Sequence, residues 1–186
     1  MKRMILWTFL LLWVSPAWAI DVEGVSIPGQ VVLEGEKLSL NGAGVRTKFF
    51  FDIYVGALYL PHPVNRAEEL LAKPSPARVS MDILYGDVDK EKLTKGWVSG
   101  FKKNQSKASF AALKDRLEAF NSMFSDVRKG DHLYFDFLKS GETHIVIKGQ
   151  RVGSIRGADF QRALLAVWLG DKPADSDLKQ VMLQGK

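Results

Sequence analysis

Between Leu40 and Pro61 the chain reads LNGAGVRTKFFFDIYVGALYLP. Gly42, Gly44 and Gly56, set among valines, isoleucine and a dense group of aromatics, make a poor helix and a good strand. The segment therefore obliges the fold to contain a sheet. Strict alternation puts Arg46, Lys48, Phe50, Asp52 and Tyr54 on one face, and Thr47, Phe49, Phe51, Ile53 and Val55 on the other. The second face reads as core. The first mixes charge with aromatic rings, as a surface that is wet at one end and partly apolar beneath. A guanidinium and a phenol both donate to an anionic oxygen. Eight residues of unbroken strand span roughly 26 Å. Arg46 and Tyr54 could serve one head group only if the chain turns or bulges between about Thr47 and Asp52. Gly42 and Gly44 read as the turn or bulge from which the strand begins.

The flanking sequence adds more strands and then helices. Val31–Leu33 and Leu38–Leu40 surround EGEK as a hairpin. NRAEELLA is a short helix, opened by Asn65 and Glu68 and stopped by KPSP. ARVSMDILY alternates, with Val79, Met81, Ile83 and Tyr85 on one side, so it is a half-buried strand. Two amphipathic helices follow. The first carries Leu93, Trp97 and Phe101, and the second Phe110, Leu113, Leu117, Phe120 and Phe124. HLYFDFLKSGETHIVIKGQRVGSIRG is a meander with turns at KSGE and KGQR. ADFQRALLAVWLG is an apolar helix, and a short one opens at Ser176. Strands, helices, a meander and helices again give an α+β fold: an antiparallel sheet of six or seven strands with five helices gathered on one face.

The N-terminus has the form of an export signal: Lys2 and Arg3, the apolar run Met4–Val14, and Ala17-Trp18-Ala19 at a small-x-small cleavage site. Residues 1–19 are read as the signal and 20–186 as one domain. No later window reaches the length of a membrane span. The chain has no cysteine, so disulfides, lipid attachment at cysteine and thiolate chemistry are excluded, and the core alone must hold the exported domain together. Loss of Lys2 and Arg3 lowers the formal charge from +5 to +3. The remaining lysines are dispersed, which argues against nucleic acid. His62, His132 and His144 have no metal-ligand spacing, and the last two read as exposed strand-end residues. GAGVRTK is neither a dinucleotide fingerprint nor a phosphate loop, and no Gly-x-Ser-x-Gly elbow occurs. No cofactor is expected.

LNGAGVR followed by YVGALYL resembles the chalcone isomerase family, whose plant enzymes carry a Gly-Ala-Gly-x-Arg turn ahead of a comparable strand. ALLAVWLGDKPADSDLKQVML is similar to the family's closing helix pair. The nearer likeness is to a bacterial exported branch. The resemblance implies an open-faced β-sandwich: a large antiparallel sheet, helices packed on one face, and a cleft between them. It also implies a role for Arg46, which matches an arginine that binds substrate phenolate in the plant enzymes and pairs with a tyrosine to hold a carboxylate in fatty-acid-binding members. Tyr54 falls where those binders have the tyrosine, although the plant enzymes space the two positions four residues further apart. The enzymes' helical Tyr/Asn pair has no counterpart in VDKEKLTKGWVSGF, and Val167 and Trp168 replace a threonine and a methionine.

The expected function is a non-catalytic, periplasmic binding protein for a small amphipathic anion such as a fatty acid, acting as a monomer. Arg46 and Tyr54 would hold the head. Phe50, Trp97, Phe101, Leu165 and Trp168 are candidate tail contacts, although each is also readable as ordinary core. Two alternatives stand beside it. One is a chalcone–flavanone isomerase in which Arg46 stabilises the attacking phenolate. The other is an interaction or structural protein of the envelope with no small ligand.

Overall fold

A computed structural model describes residues 18–72 and 76–185. Apart from Trp18 and Ala19, the segment read as an export signal lies outside these residues, as does most of the KPSP helix stop. In chain order the elements are β1 (Ala19–Val22), β2 (Val25–Pro28), β3 (Gln30–Leu33), β4 (Glu36–Lys48), β5 (Phe51–Leu60), α1 (Ala67–Ala72), β6 (Ala77–Ile83) and β7 (Asp87–Val88). There follow α2 (Lys90–Asn104), α3 (Lys107–Ser122), β8 (Val127–Arg128), β9 (His132–Phe137), β10 (Glu142–Ile147), β11 (Gln150–Arg156), α4 (Ala158–Leu169) and α5 (Ser176–Met182). The class is α+β. A seven-stranded sheet in the order β11-β10-β9-β6-β5-β4-β3 is antiparallel throughout, and β1–β2 and β7–β8 form two small separate pairs.

The Leu40–Pro61 stretch is not one strand. It turns at Phe49-Phe50, and β4 and β5 form a hairpin of the sheet between β3 and β6. The expected contrast between one core face and one mixed face also fails, because both sides of β5 are buried. Tyr54, Leu58 and Leu60 point into the main core beneath the helices. Val55, Ala57 and Tyr59 point to the opposite face, where Ile27 of the β1–β2 hairpin joins Leu33, Leu38 and Ala43 in a second cluster. This part of the sheet is covered on both sides, so its strands are apolar at every position rather than at alternate ones. The aromatics Phe49, Phe50 and Phe51 lie at the free end and are exposed.

The glycines of NGAG serve close packing rather than a turn. A Cβ on Gly42 would lie 1.9 Å from the Val181 carbonyl oxygen, and one on Gly44 would lie 3.2 Å from the Val181 side chain. Gly56, on the neighbouring strand, leaves room for Met182 and Leu178 in the same way. These three bare positions form a trough in which α5 lies directly on the sheet. Just before Gly42 the ladder slips at Asn41, a bulge that turns a polar side chain inward. Asn41 is buried and fully used: its Nδ2 donates to the Val64 carbonyl at 2.8 Å and the Met182 carbonyl at 2.7 Å, and its Oδ1 accepts from Val64 N–H at 2.8 Å.

Helix α4 is apolar on nearly every side because it is buried on nearly every side, from Phe160 to Leu169. Gln161 is its one interior amide, and Nε2 donates to the carbonyls of Leu138 and Glu142 at the turn between β9 and β10. Helix α2 crosses α4 closely; a Cβ on Gly100 would meet Val167 at 2.9 Å. Trp97, Phe120, Phe124, Phe135 and Trp168 stack edge-on or tilted between these helices and the sheet, with centroids 4.9–6.3 Å apart. That aromatic block closes the floor of the space described next.

Candidate functional site

At the hairpin end of the sheet the helices stand away from the strands and leave a cavity of about 560 Å³. Ile53, Met81 and Ile83 form its sheet wall, and Leu93, Trp97 and Val167 its helix wall. Arg46 and Tyr54 close one end. The volume lies in the range of small-molecule sites, about 300–1,000 Å³, and the lining has their usual form: apolar walls with a few convergent donors. A wider depression of about 700 Å³ lies between α2 and α3, but it is an open lysine-lined groove without a closed floor.

Arg46 and Tyr54 are cross-strand partners. The turn at Phe49-Phe50 brings them face to face, and a second slip in the ladder pairs Arg46 with Tyr54 and Thr47 with Asp52, leaving Ile53 as the extra residue. The Ile53 carbonyl, freed from the hairpin, accepts from the N–H groups of Leu84 and Tyr85, which holds the start of the following loop against the cavity. The guanidinium carbon of Arg46 sits 5.6 Å from the centre of the Tyr54 ring, a cation–π distance. Arg46 Nε is buried and bonded to no protein atom, and Arg46 makes no ion pair among the described residues. The indole N–H of Trp97 is likewise enclosed without an acceptor. Buried donors left unpaired are rare and costly, and these two belong to side chains that line one cavity.

Tyr54 is held from behind. The Trp168 indole N–H donates to its hydroxyl at 2.9 Å, so the phenol's own proton remains available for an acceptor. Burial pushes the Tyr54 phenol up to about 12, opposed by the nearby Arg46 charge and the Trp168 bond; the group is neutral, and a donor, across the physiological range. Asp175 ties the mouth together. Its Oδ1 accepts from Asp177 and Leu178 N–H at 2.9 Å each, capping α5, and its Oδ2 accepts from Thr47 N–H at 3.2 Å.

The seven residues singled out from sequence thus separate. Arg46, Tyr54 and Trp97 line the cavity together. Trp168 lies one layer behind and orients Tyr54. Phe101 and Leu165 are core: Phe101, one helical turn past Trp97, faces Phe160 at 5.4 Å under α4. Phe50 is not a tail contact at all, because it sits at the hairpin tip and is 97 % exposed. The sheet wall of Ile53, Met81 and Ile83 was missed, although the alternation of the ARVSMDILY strand had already placed Met81 and Ile83 on one inward face. Also missed was the basic mouth, where Arg46 and five lysines meet a single carboxylate, Asp87, among the lining residues. Of the histidines, His132 opens β9 and bonds Asp82, whereas His144 is half-buried within β10 rather than exposed at its end. No cluster able to hold a metal ion occurs among the described residues.

No curated protein sequence matches the chain significantly. Among solved structures it is similar to the crystal structure of an Arabidopsis thaliana fatty-acid binding protein, with a TM-score of 0.70 over 90 % of this chain and 96 % of that one. Sequence identity is 16 %, so the likeness establishes the fold: a large antiparallel sheet with helices packed on it. The sequence profile of the chalcone isomerase-like family matches residues 19–184, nearly all of the described chain. The protein belongs to the chalcone isomerase-like family.

Proposed function

We propose that the protein is a non-catalytic, exported binding protein of the bacterial periplasm that holds a small amphipathic anion, such as a fatty acid, as a monomer. The observation that carries this reading is the unpaired Arg46 guanidinium beside a neutral, oriented Tyr54 phenol at the end of an apolar cavity. A carboxylate there gains two charge-assisted donors, and an acyl chain extends between Met81, Ile83, Leu93 and Val167. The solved structure of similar fold is that of a fatty-acid binding protein, which agrees in ligand class. Trp168 supports the same reading over the isomerase alternative, since its ring fills interior space behind Tyr54 that a flavonoid ring would need.

The test is a mass-spectrometric census of acyl lipids that co-purify with the wild-type protein and with Arg46→Ala. Hydrogen bonds to a charged group contribute about 1.5–3 kcal/mol. Arg46→Ala therefore loses about tenfold to a hundredfold in fatty-acid affinity, and the bound species disappears. Arg46→Lys keeps the charge but not the fork of donors, and retains part of the binding. Equal loading of the same species on wild type and a folded Arg46→Ala variant would sink the assignment.

A further inference from the structure

Phe49, Phe50 and Phe51 are 83 %, 97 % and 55 % exposed. This is the one place among the described residues where three consecutive large apolar side chains face solvent. At ~200 Å² per phenylalanine they present roughly 400–500 Å² of aromatic surface. Patches of that size on a monomer are commonly functional. The turn itself does not ask for them. Phe49 holds φ +59, a left-handed position that glycine or asparagine fills without strain and a bulky side chain occupies reluctantly. A hairpin selected only to turn would not place phenylalanine there.

The surroundings specify what the tip meets. The ladder between β5 and β6 ends at the Tyr54–Ile83 pair, so the tip projects beyond the sheet. The ring of Phe51 packs edge-on against Tyr85, and Tyr85 lines the cavity mouth. Lys48 lies 5.8 Å from the Phe49 ring, and Lys92, Lys95, Lys103 and Lys172 join it around the mouth, Lys92 and Lys95 in exposed ion pairs with Asp89 and Glu91. Aromatic side chains at a projecting tip with a ring of lysines behind them match a bilayer surface that carries anionic head groups. Rings enter the acyl boundary while the lysine stems lie along it and their charges stay with the phosphates. No helix among the described residues is long and apolar enough to cross a membrane, so contact of this kind is at the surface.

We propose that the Phe49–Phe51 tip inserts into anionic bilayers and sets the cavity mouth on the membrane, where an acyl ligand passes between the bilayer and the Arg46–Tyr54 end. The transfer step rests on the ligand reading above; the insertion does not.

Co-sedimentation with vesicles of phosphatidylcholine and phosphatidylglycerol at 3:1 tests it, with Phe49→Asn/Phe50→Ser as the variant. Asparagine suits the left-handed position, and neither residue lines the cavity, so the fold is kept. Wild type partitions to these vesicles, more weakly at raised salt and on pure phosphatidylcholine, and the double variant partitions about tenfold less or worse. Because the chain has no cysteine, Phe50→Cys carries a single environment-sensitive dye. Its emission shifts to the blue on these vesicles, whereas dye at Val152→Cys on β11 does not shift. Equal partition of wild type and double variant, equal shifts at both sites, or an unbound wild type whose tip variant only dissolves a dimer would each overturn the proposal. Binding of cis-parinaric acid in vesicle-free solution separates the two readings. Parinarate bound without vesicle binding removes the insertion alone, and tip-dependent vesicle binding without parinarate removes the ligand alone.

Discussion

Replacing Gly42 by alanine should damage this protein far more than a single methyl suggests. The added Cβ would lie 1.9 Å from the Val181 carbonyl oxygen, 2.9 Å from the Val181 carbonyl carbon and 3.0 Å from that of Met182. All three are backbone atoms of α5, so no rotamer change relieves them. Carbon–oxygen contacts settle near 3.3 Å, which requires α5 to retreat by ~1.4 Å. Overpacking of this kind costs about 1–3 kcal/mol. The retreat also stretches the Asn41–Met182 bond of 2.7 Å in a closed interior, which adds about 1 kcal/mol or more. A total near 2–4 kcal/mol lowers the melting temperature of a chain this size by about 5–15 °C. The internal control is Gly96→Ala. Gly96 lies within α2, and a Cβ there meets nothing within 4 Å; alanine should stabilise by about 0.5–1 kcal/mol. Differential scanning calorimetry of both variants reads the result. Asn41→Ala should be costly as well and sub-additive with Gly42→Ala, since both loosen one contact. A Gly42→Ala protein melting within about 2 °C of wild type would refute the packing account of the NGAG motif.

Two further outcomes follow, one from a side chain of the site and one from an ion pair away from it. Tyr54→Phe leaves the Trp168 indole N–H without an acceptor in the interior, which costs about 1–3 kcal/mol in denaturant unfolding; a double-mutant cycle with Trp168→Phe should return at least ~0.5 kcal/mol of coupling. At the start of α4, the Arg116 guanidinium grips both carboxylate oxygens of Asp159 at 2.8 and 2.6 Å and holds its pKa at about 2, below the unfolded value of 3.8. A group whose pKa is depressed by folding adds stability above its unfolded pKa and loses it as the pH falls through the folded one. The melting temperature should therefore decline between about pH 4 and pH 2, and Asp159→Asn should flatten part of that decline; the effect is modest because the pair is partly exposed.

Most of the architecture could be read from the chain because pattern and burial agree there. The meander from His132 to Arg156 forms where its turns place it, and the stripes of α2 and α3 face the core, with Leu93 and Phe110 only partly buried. The Leu40–Pro61 segment misled because its turn lacks turn chemistry. No Gly, Asn, Asp or Pro stands at Phe49-Phe50, and an aromatic triplet in an apolar run reads as more strand. With the turn hidden, alternation places Phe50 on the face of Arg46 and Tyr54, whereas it lies at the exposed tip. The glycines misled for a different reason. Their purpose depends on α5, more than 130 residues away, and no local rule reveals a helix that will lie in the trough. Arg46 and Tyr54 were legible as chemistry, and the condition for their convergence was legible as geometry. The walls between them were not, because a cavity is defined by where α2 stops following the sheet.

The slip at Ile53 separates two things that a plain hairpin would couple. Beyond the Arg46–Tyr54 pair, the tip can gain or lose residues without moving the register of Gly56 to Leu60 against its neighbours. The entropic charge for a longer loop is small, about 0.6 kcal/mol for each doubling. The Arg46–Tyr54 pair and the reach of the tip are thus independent variables in this hairpin. A redesigned tip could be longer, shorter or of different chemistry, to suit another surface, while Arg46 still meets Tyr54 across the strands.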